Sequence, residues 1–228
     1  MRTIYKIVAI IITIVVFITF YLNYNHKGVS ANGNMLAASM AKSAASDSNI
    51  DIVANESPNQ SEITKEFIPK GIVIHSMAEY VITDNGALYA KDFLKSINLS
   101  VHGFIKTDGT FDKMKESNIK ASHAGKSYHK PYSGLNSYYI GVEVLVKGEH
   151  NYETFLKAIS TKGTYSEQQF QGCIKQCKLW MKEYNIPIDR IVRHSDVSGD
   201  NIRGKGHGKP DPGTAFDWDR FIKELGKE

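Results

Sequence analysis

Four apolar segments of strand-like length, separated by helical stretches, constrain the fold of this 228-residue chain most strongly. The predicted extended segments are residues 71–76, 99–105, 139–146 and 189–194. The predicted helices are residues 86–97, 166–184 and 217–225. Strands interleaved with helices are typical of an α/β architecture, so the sequence predicts a single domain with a central mixed β-sheet flanked by helices.

Residues 139–146 alternate strictly and carry one charged side chain. A strand would direct Ile140, Val142, Val144 and Val146 to one face, and Tyr139, Gly141, Glu143 and Leu145 to the other. An unpaired charge in such a strand costs free energy, so Glu143 either has a buried basic partner or faces a functional cleft. We favour the cleft.

The predicted helix at 166–184 contains both cysteines of the chain. Ser166 and Gln169 have the spacing of a capping box, and Pro187 lies just past the helix end. Cys173 and Cys177 fall on the apolar stripe of this helix. They could be metal ligands or form a disulfide, but the pattern favours two buried thiols.

Two histidines and one aspartate suggest a metal site. His75 and His194 each follow an apolar run and are expected at strand ends, where side chains line a cleft. Asp211 lies between two prolines, which restrict the backbone, although such an aspartate can also be a turn former or helix N-cap. Two imidazoles and a carboxylate form a known zinc ligand set that leaves a fourth position to water.

The sequence segments around these residues resemble the type 2 N-acetylmuramoyl-L-alanine amidase family, which includes phage amidase endolysins and peptidoglycan recognition proteins. Six segments carry the resemblance in order: GIVIH at 71–75, VHGFIKTDGT at 101–110, ASHAGKS at 121–127, NSYYIGVE at 136–143, RIVRHSD at 190–196 and KPDPGTAFDW at 209–218. They cover most of residues 66–226. The resemblance implies a zinc enzyme that cleaves the amide bond between N-acetylmuramic acid and L-alanine in peptidoglycan or muropeptides.

The same resemblance implies roles for individual residues. His75, His194 and Asp211 would bind Zn²⁺, Glu143 would be the catalytic acid/base, and His123 would contact substrate. Lys209 would stabilise the negative charge that develops on the substrate carbonyl. The alternatives are a peptidoglycan-binding module without catalysis, or an amidase acting on another cell-wall amide bond.

The chain departs from the family pattern between His194 and Asp211. Residues 197–208 form a longer link than the short one common in relatives. Arg203 within this link could take the role of Lys209, and His207 could replace a metal ligand. A further histidine, His102, is expected to support the sheet.

The N-terminus predicts export. Arg2 and Lys6 precede an uncharged, apolar stretch, and roughly 20 such residues span a bilayer. Positive residues favour a cytoplasmic N-terminus, so residues 1–27 are expected to be a signal anchor. The small residues of Val29-Ser30-Ala31 would instead fit a cleaved signal peptide.

Residues 28–65 are rich in Ser, Ala, Asn and Gly, which predicts a flexible linker ahead of a catalytic domain at 66–228. The net charge of +4 suits contact with anionic surfaces such as a membrane or cell wall. It falls short of the clustered basic footprint of a nucleic-acid-binding protein, and no such partner is expected. We expect a monomeric domain, held outside the cytoplasm by the anchor or secreted.

Overall fold

A mixed six-stranded sheet organises residues 67–227, which are the residues that the computed structural model describes. Its strands are β1 (Gly71–Thr83), β2 (Gly86–Tyr89), β3 (Gly103–Ile105), β4 (Phe111–Lys113), β7 (Tyr139–His150) and β8 (Ile191–Arg193). The order is β2-β1-β7-β3-β4, and β8 also pairs with β1. Strands β7 and β8 run parallel to β1, whereas β2 runs antiparallel to it, so the predicted mixed sheet is confirmed.

Six α-helices, two 3-10 turns (Leu135–Ser137 and Ile188–Arg190) and a small hairpin complete the described part of the chain. The helices are α1 (Ala90–Ser96), α2 (Tyr152–Ile159), α3 (Glu167–Tyr184), α4 (His194–Val197), α5 (Asp200–Arg203) and α6 (Trp218–Leu225). The hairpin pairs β5 (Tyr128–His129) with β6 (Tyr132–Ser133). Within residues 67–227, no helix is both long enough and apolar enough to cross a bilayer. The predicted anchor and linker, residues 1–65, lie outside the described residues.

Strand β7 has the two faces that its alternation predicts. Ile140, Val142 and Val144 are fully buried in one apolar cluster together with residues of α3 and α6. Tyr139 and Leu145 belong to two other clusters on the opposite face. The sheet is therefore covered on both sides, as strands paired in parallel require.

Helix α3 begins and ends where the sequence predicts. The Ser166 side chain accepts a hydrogen bond from the Gln169 backbone N–H, and the Gln169 side chain accepts one from the Ser166 backbone N–H, which completes the capping box. Asn185 ends the helix in the left-handed conformation. Cys173 and Cys177 are free, buried thiols in the core, as predicted.

The prediction that His75 ends a strand is wrong. β1 continues eight residues further, to Thr83, and turns into β2 through Gly86, whose φ of +106° favours glycine. This hairpin also occupies the start of the helix predicted at 86–97, so α1 begins only at Ala90.

Two other predicted segments are shorter in the structure. The strand predicted at 99–105 is confined to Gly103–Ile105, because β4 and β7 pair only with that part. The strand predicted at 189–194 comprises Ile191–Arg193, and His194 already belongs to α4. His194 therefore directly follows its strand, close to the predicted position.

Candidate functional site

Sheet register brings His75 and Glu143 together. In the parallel pairing of β1 and β7, His75 lies directly opposite Glu143, and paired residues project to the same face. The two residues are 1% and 8% exposed. The site is thus built on the rigid middle of two strands rather than on a loop.

His194 reaches this site from the other edge of β1. Strand β8 pairs with β1 as far as Arg193 opposite Ile74, and the chain then turns into α4. One further residue along both strands places the His194 imidazole beside that of His75, with ring centroids 4.2 Å apart. The two histidines are therefore neighbours because β1 and β8 are parallel and in register.

Asp211 comes from the loop between α5 and α6 and is held by backbone contacts. Its carbonyl accepts a hydrogen bond from Ser195 N at 2.9 Å, and its Oδ2 accepts one from Ser76 N at 3.4 Å. The carboxylate lies 3.0 Å from His194 Nδ1 and 3.4 Å from His75 Nδ1. One ligand atom from each of the three residues lies within 4.8 Å of the others, so the predicted group is assembled.

The electrostatics of this group suit a cation. Burial, reinforced by the proximity of His194, lowers the pKa of His75 to about 4, so its ring is neutral near pH 7. Burial would raise the pKa of Asp211, but the His194 and His75 side chains hold it below its ordinary range. Neutral imidazoles and an ionised carboxylate are the protonation states that a bound metal ion requires.

Glu143 lies beside this three-residue group, opposite His75 in the sheet. Its Oε2 is buried and has no hydrogen-bond partner among the described residues. Burial raises the pKa of Glu143 well above its usual range, the charge of Asp211 adds to this, and Lys209 opposes it. A raised pKa suits a carboxyl group that must both accept and release a proton.

Lys209, Arg203 and His207 occupy different surroundings. Lys209 donates its backbone N–H to Ser198 O at 2.9 Å, and its charge acts on the pKa of both His75 and Glu143. The Arg203 guanidinium lies 3.3 Å from Ser198 Oγ. His207 is exposed and is not part of the three-residue group. These positions favour Lys209 over Arg203, and Asp211 over His207.

His123 packs against the metal-ligand candidates instead of facing outward. Its Nδ1 lies 2.9 Å from His75 Nε2, and its Nε2 lies 3.0 Å from the Tyr139 carbonyl. Substrate contact by His123 stays a prediction. His102 accepts a hydrogen bond from Gly141 N and bonds the Ile119 carbonyl, which confirms that it supports the sheet.

Tyr165 is a site residue that sequence reasoning missed. Its hydroxyl lies 2.8 Å from Ser76 Oγ and 2.8 Å from the Pro212 carbonyl. It thereby ties β1 to the loop that carries Asp211. A tyrosine directly before a helix cap carries no local signal of this contact, which spans 89 residues of sequence.

Comparisons with known proteins agree with the geometry. Residues 65–214 match the family described as N-acetylmuramoyl-L-alanine amidase. The 1,6-anhydro-N-acetylmuramyl-L-alanine amidase AmpD of Haemophilus influenzae is 27% identical over 130 residues, which cover 57% of this chain and 60% of the relative. AmpD of Escherichia coli K12 is 26% identical over 132 residues, covering 58% and 61%. This chain spans about three fifths of the length of these curated relatives.

A solved structure shares the fold. AmpDh3 from Pseudomonas aeruginosa, crystallised in complex with an anhydromuramic pentapeptide, superposes with a TM-score of 0.52 at 18% identity. The match covers 76% of this chain and 66% of AmpDh3. With two thirds of its length matched by the family model, this chain belongs to the N-acetylmuramoyl-L-alanine amidase family.

Proposed function

We propose that this protein is a zinc-dependent hydrolase of the amide bond between N-acetylmuramic acid and L-alanine in peptidoglycan or its fragments. The observation that carries the proposal is the buried His75–His194–Asp211 group with the partnerless Glu143 oxygen beside it. Family membership and the amidase names of the relatives support the substrate class.

The three ligands would hold the ion through one nitrogen of each imidazole and a carboxylate oxygen. Bound there, zinc would polarise the amide carbonyl and acidify water. Glu143 accepts the proton of the attacking water at Oε2 and delivers it to the alanine nitrogen as the carbon–nitrogen bond breaks. The Lys209 ammonium stabilises the negative charge that develops on the carbonyl oxygen.

His123 contributes to the substrate groove in this proposal, through the face of its ring rather than its nitrogens. Both nitrogens already contact protein atoms. Gly141 backs one face of the ring, so a sugar or peptide would pack against the other face.

A peptidoglycan-binding module without catalysis is the rival function. A buried carboxyl oxygen without a hydrogen-bond partner lowers stability, and a protein that only binds peptidoglycan would gain no function from it. Glu143 therefore favours catalysis. An amidase acting on a different wall amide would use the same residues and differs only in its products.

The cellular location is a second proposal. Arg2, Lys6 and the apolar stretch after them support an anchor that holds a monomeric domain outside the cytoplasm, where its wall substrate lies. The full-length protein should then fractionate with membranes. Recovery of a soluble form that begins near Asn32 would show cleavage after Ala31 instead.

Product analysis tests the proposed activity directly. Full-length protein is incubated with intact peptidoglycan and with a soluble anhydromuramyl peptide, and new amino termini are labelled and identified by mass spectrometry. We expect free L-alanine termini, loss of activity with a chelator and recovery with zinc. Binding without hydrolysis would indicate the non-catalytic module, and other termini would indicate a different amide bond.

A further inference from the structure

The hydrogen bonds around His123 favour one arrangement of protons, because they are shorter than the 3.4 Å contact between His75 Nδ1 and Asp211. The Tyr139 carbonyl can only accept, so the His123 Nε2 that lies 3.0 Å away must donate to it. A neutral His123 then has a lone pair on Nδ1, and this atom lies 2.9 Å from His75 Nε2. His75 must donate through Nε2, which leaves the lone pair of its Nδ1 directed toward Asp211.

The opposite arrangement is unfavourable. A proton on His75 Nδ1 would make Nε2 an acceptor and would require His123 to donate through Nδ1. The bare His123 Nε2 would then face the Tyr139 carbonyl, lone pair against lone pair. A doubly protonated His123 ring does not resolve the conflict, because it would place a positive charge against the histidine that holds the metal ion.

Ala124, the residue after His123, favours a proton on Nε2 of the second histidine, His194. The carbonyl of Ala124 lies 3.3 Å from His194 Nε2 and can only accept, so it favours a proton on Nε2 once a metal ion occupies Nδ1. The Nδ1 of His194 is the atom next to the Asp211 carboxylate, at 3.0 Å. Adjacent residues thus present one acceptor to each histidine of the metal-ligand group.

Two features hold this dipeptide in place. The Oδ1 of Asn136 accepts hydrogen bonds from His123 N at 2.9 Å and from Ala124 N at 2.7 Å. Gly141 of β7 lies under the His123 ring, where a Cβ atom would come within 2.5 Å of Cγ. Any larger residue at this position would displace the ring.

We propose that the His123-Ala124 dipeptide, held by Asn136, is a positioning element that fixes both histidines with Nε2 protonated and reserves both Nδ1 atoms for the metal ion. The inference rests on the proposed metal-binding function of His75, His194 and Asp211. Outer partners of this kind fix the tautomer and ring orientation of ligating histidines, and their loss typically weakens metal binding roughly 10–100-fold.

Nitrogen NMR of the histidine rings in metal-free, full-length protein is the first test. We expect His75 and His123 in the Nε2–H form without zinc. A His75 ring with its proton on Nδ1 would overturn the proposal. This readout does not depend on any activity toward muropeptides, so it fails independently of the proposed function.

Matched variants give the second test. Asn136→Leu removes the shared acceptor, whereas Asn136→Asp keeps an oxygen there. His123→Leu removes the two nitrogens that link His75 to the Tyr139 carbonyl, whereas His123→Gln keeps both an acceptor and a donor. By zinc titration with a competing chelator, we expect the leucine variants to bind zinc roughly 10–100-fold more weakly and the conservative variants to recover part of that loss. Equal zinc affinity in all four folded variants would contradict the proposal.

Discussion

The two faces of strand β7 differ in what they bury. One face carries Val142 and Val144, which are fully buried against the helices α3 and α6. The other carries Gly141 and Glu143, which lie among the histidines. The apolar face stabilises the fold, and that stability offsets the cost of burying polar groups on the opposite side. One strand can hold a reactive carboxyl group rigidly because its other side is ordinary core.

The largest expected effect is the loss of zinc binding and activity when a metal ligand on the polar face is removed. Asp211→Ala should reduce zinc affinity by more than the roughly 10–100-fold typical of an outer-shell partner, and amide hydrolysis should disappear with it. Zinc content by atomic absorption and hydrolysis of a muropeptide measure the two effects.

His207→Ala is the matched control, because His207 is exposed and outside the ligand group. Its zinc content should equal that of the wild type. Full zinc occupancy in Asp211→Ala with loss in His207→Ala would assign the third ligand to the wrong residue.

A substitution on the apolar face should lower stability and leave zinc binding unchanged. Phe221 of α6 is fully buried in the core cluster, and Phe221→Ala should lower the free energy of unfolding by about 3–5 kcal/mol. Urea unfolding measures the loss, and Phe221→Leu should lose less. The fraction that remains folded should bind zinc normally. Strong loss of zinc by folded Phe221→Ala would mean that the two faces are coupled.

His102 lies on the same face of the sheet as the metal-ligand group, but we expect it to contribute to stability and not to the reaction. Burial lowers its pKa from the ordinary 6.5 to about 4, although its hydrogen bond to the Ile119 carbonyl opposes the shift. Between these pH values the unfolded chain binds a proton that the native protein does not. The contribution of His102 to stability is therefore complete above pH 6.5 and falls by about 3 kcal/mol as the pH drops to 4.

Denaturant unfolding at several pH values checks this prediction. His102→Gln should flatten the dependence between pH 6.5 and 4 relative to the wild type, at the cost of some stability at pH 7. Identical pH profiles for both proteins would show that His102 does not titrate as its burial implies.

The elements that could be predicted from the sequence are those with a pattern confined to neighbouring residues. The alternation around Glu143 and the Ser166–Gln169 pair predicted a two-faced strand and a helix start, and both follow from short-range geometry. Residue types suggested the metal-ligand group, but the case for it came from the resemblance, because His75 and Asp211 are 136 positions apart and no spacing rule joins them.

Contacts between distant side chains escaped prediction for the same reason. The His75–His123 and Ser76–Tyr165 hydrogen bonds depend on how loops pack onto the sheet. The length of β1 was missed because the Gly86 turn was interpreted as the start of a helix. Helix α2 was missed as well, although Asn151 caps it with a hydrogen bond from Thr154 N.

Turnover by Glu143→Gln, compared with Val142→Ala one residue earlier in β7, tests the central claim most directly. Glutamine keeps the shape of Glu143 but cannot carry the proton, so kcat should fall by about a hundredfold or more while zinc stays bound. Val142→Ala, which alters the opposite face, should reduce stability and leave kcat of the folded enzyme near normal. Near-normal turnover by zinc-loaded Glu143→Gln would contradict the account, because the buried carboxyl would then be structural.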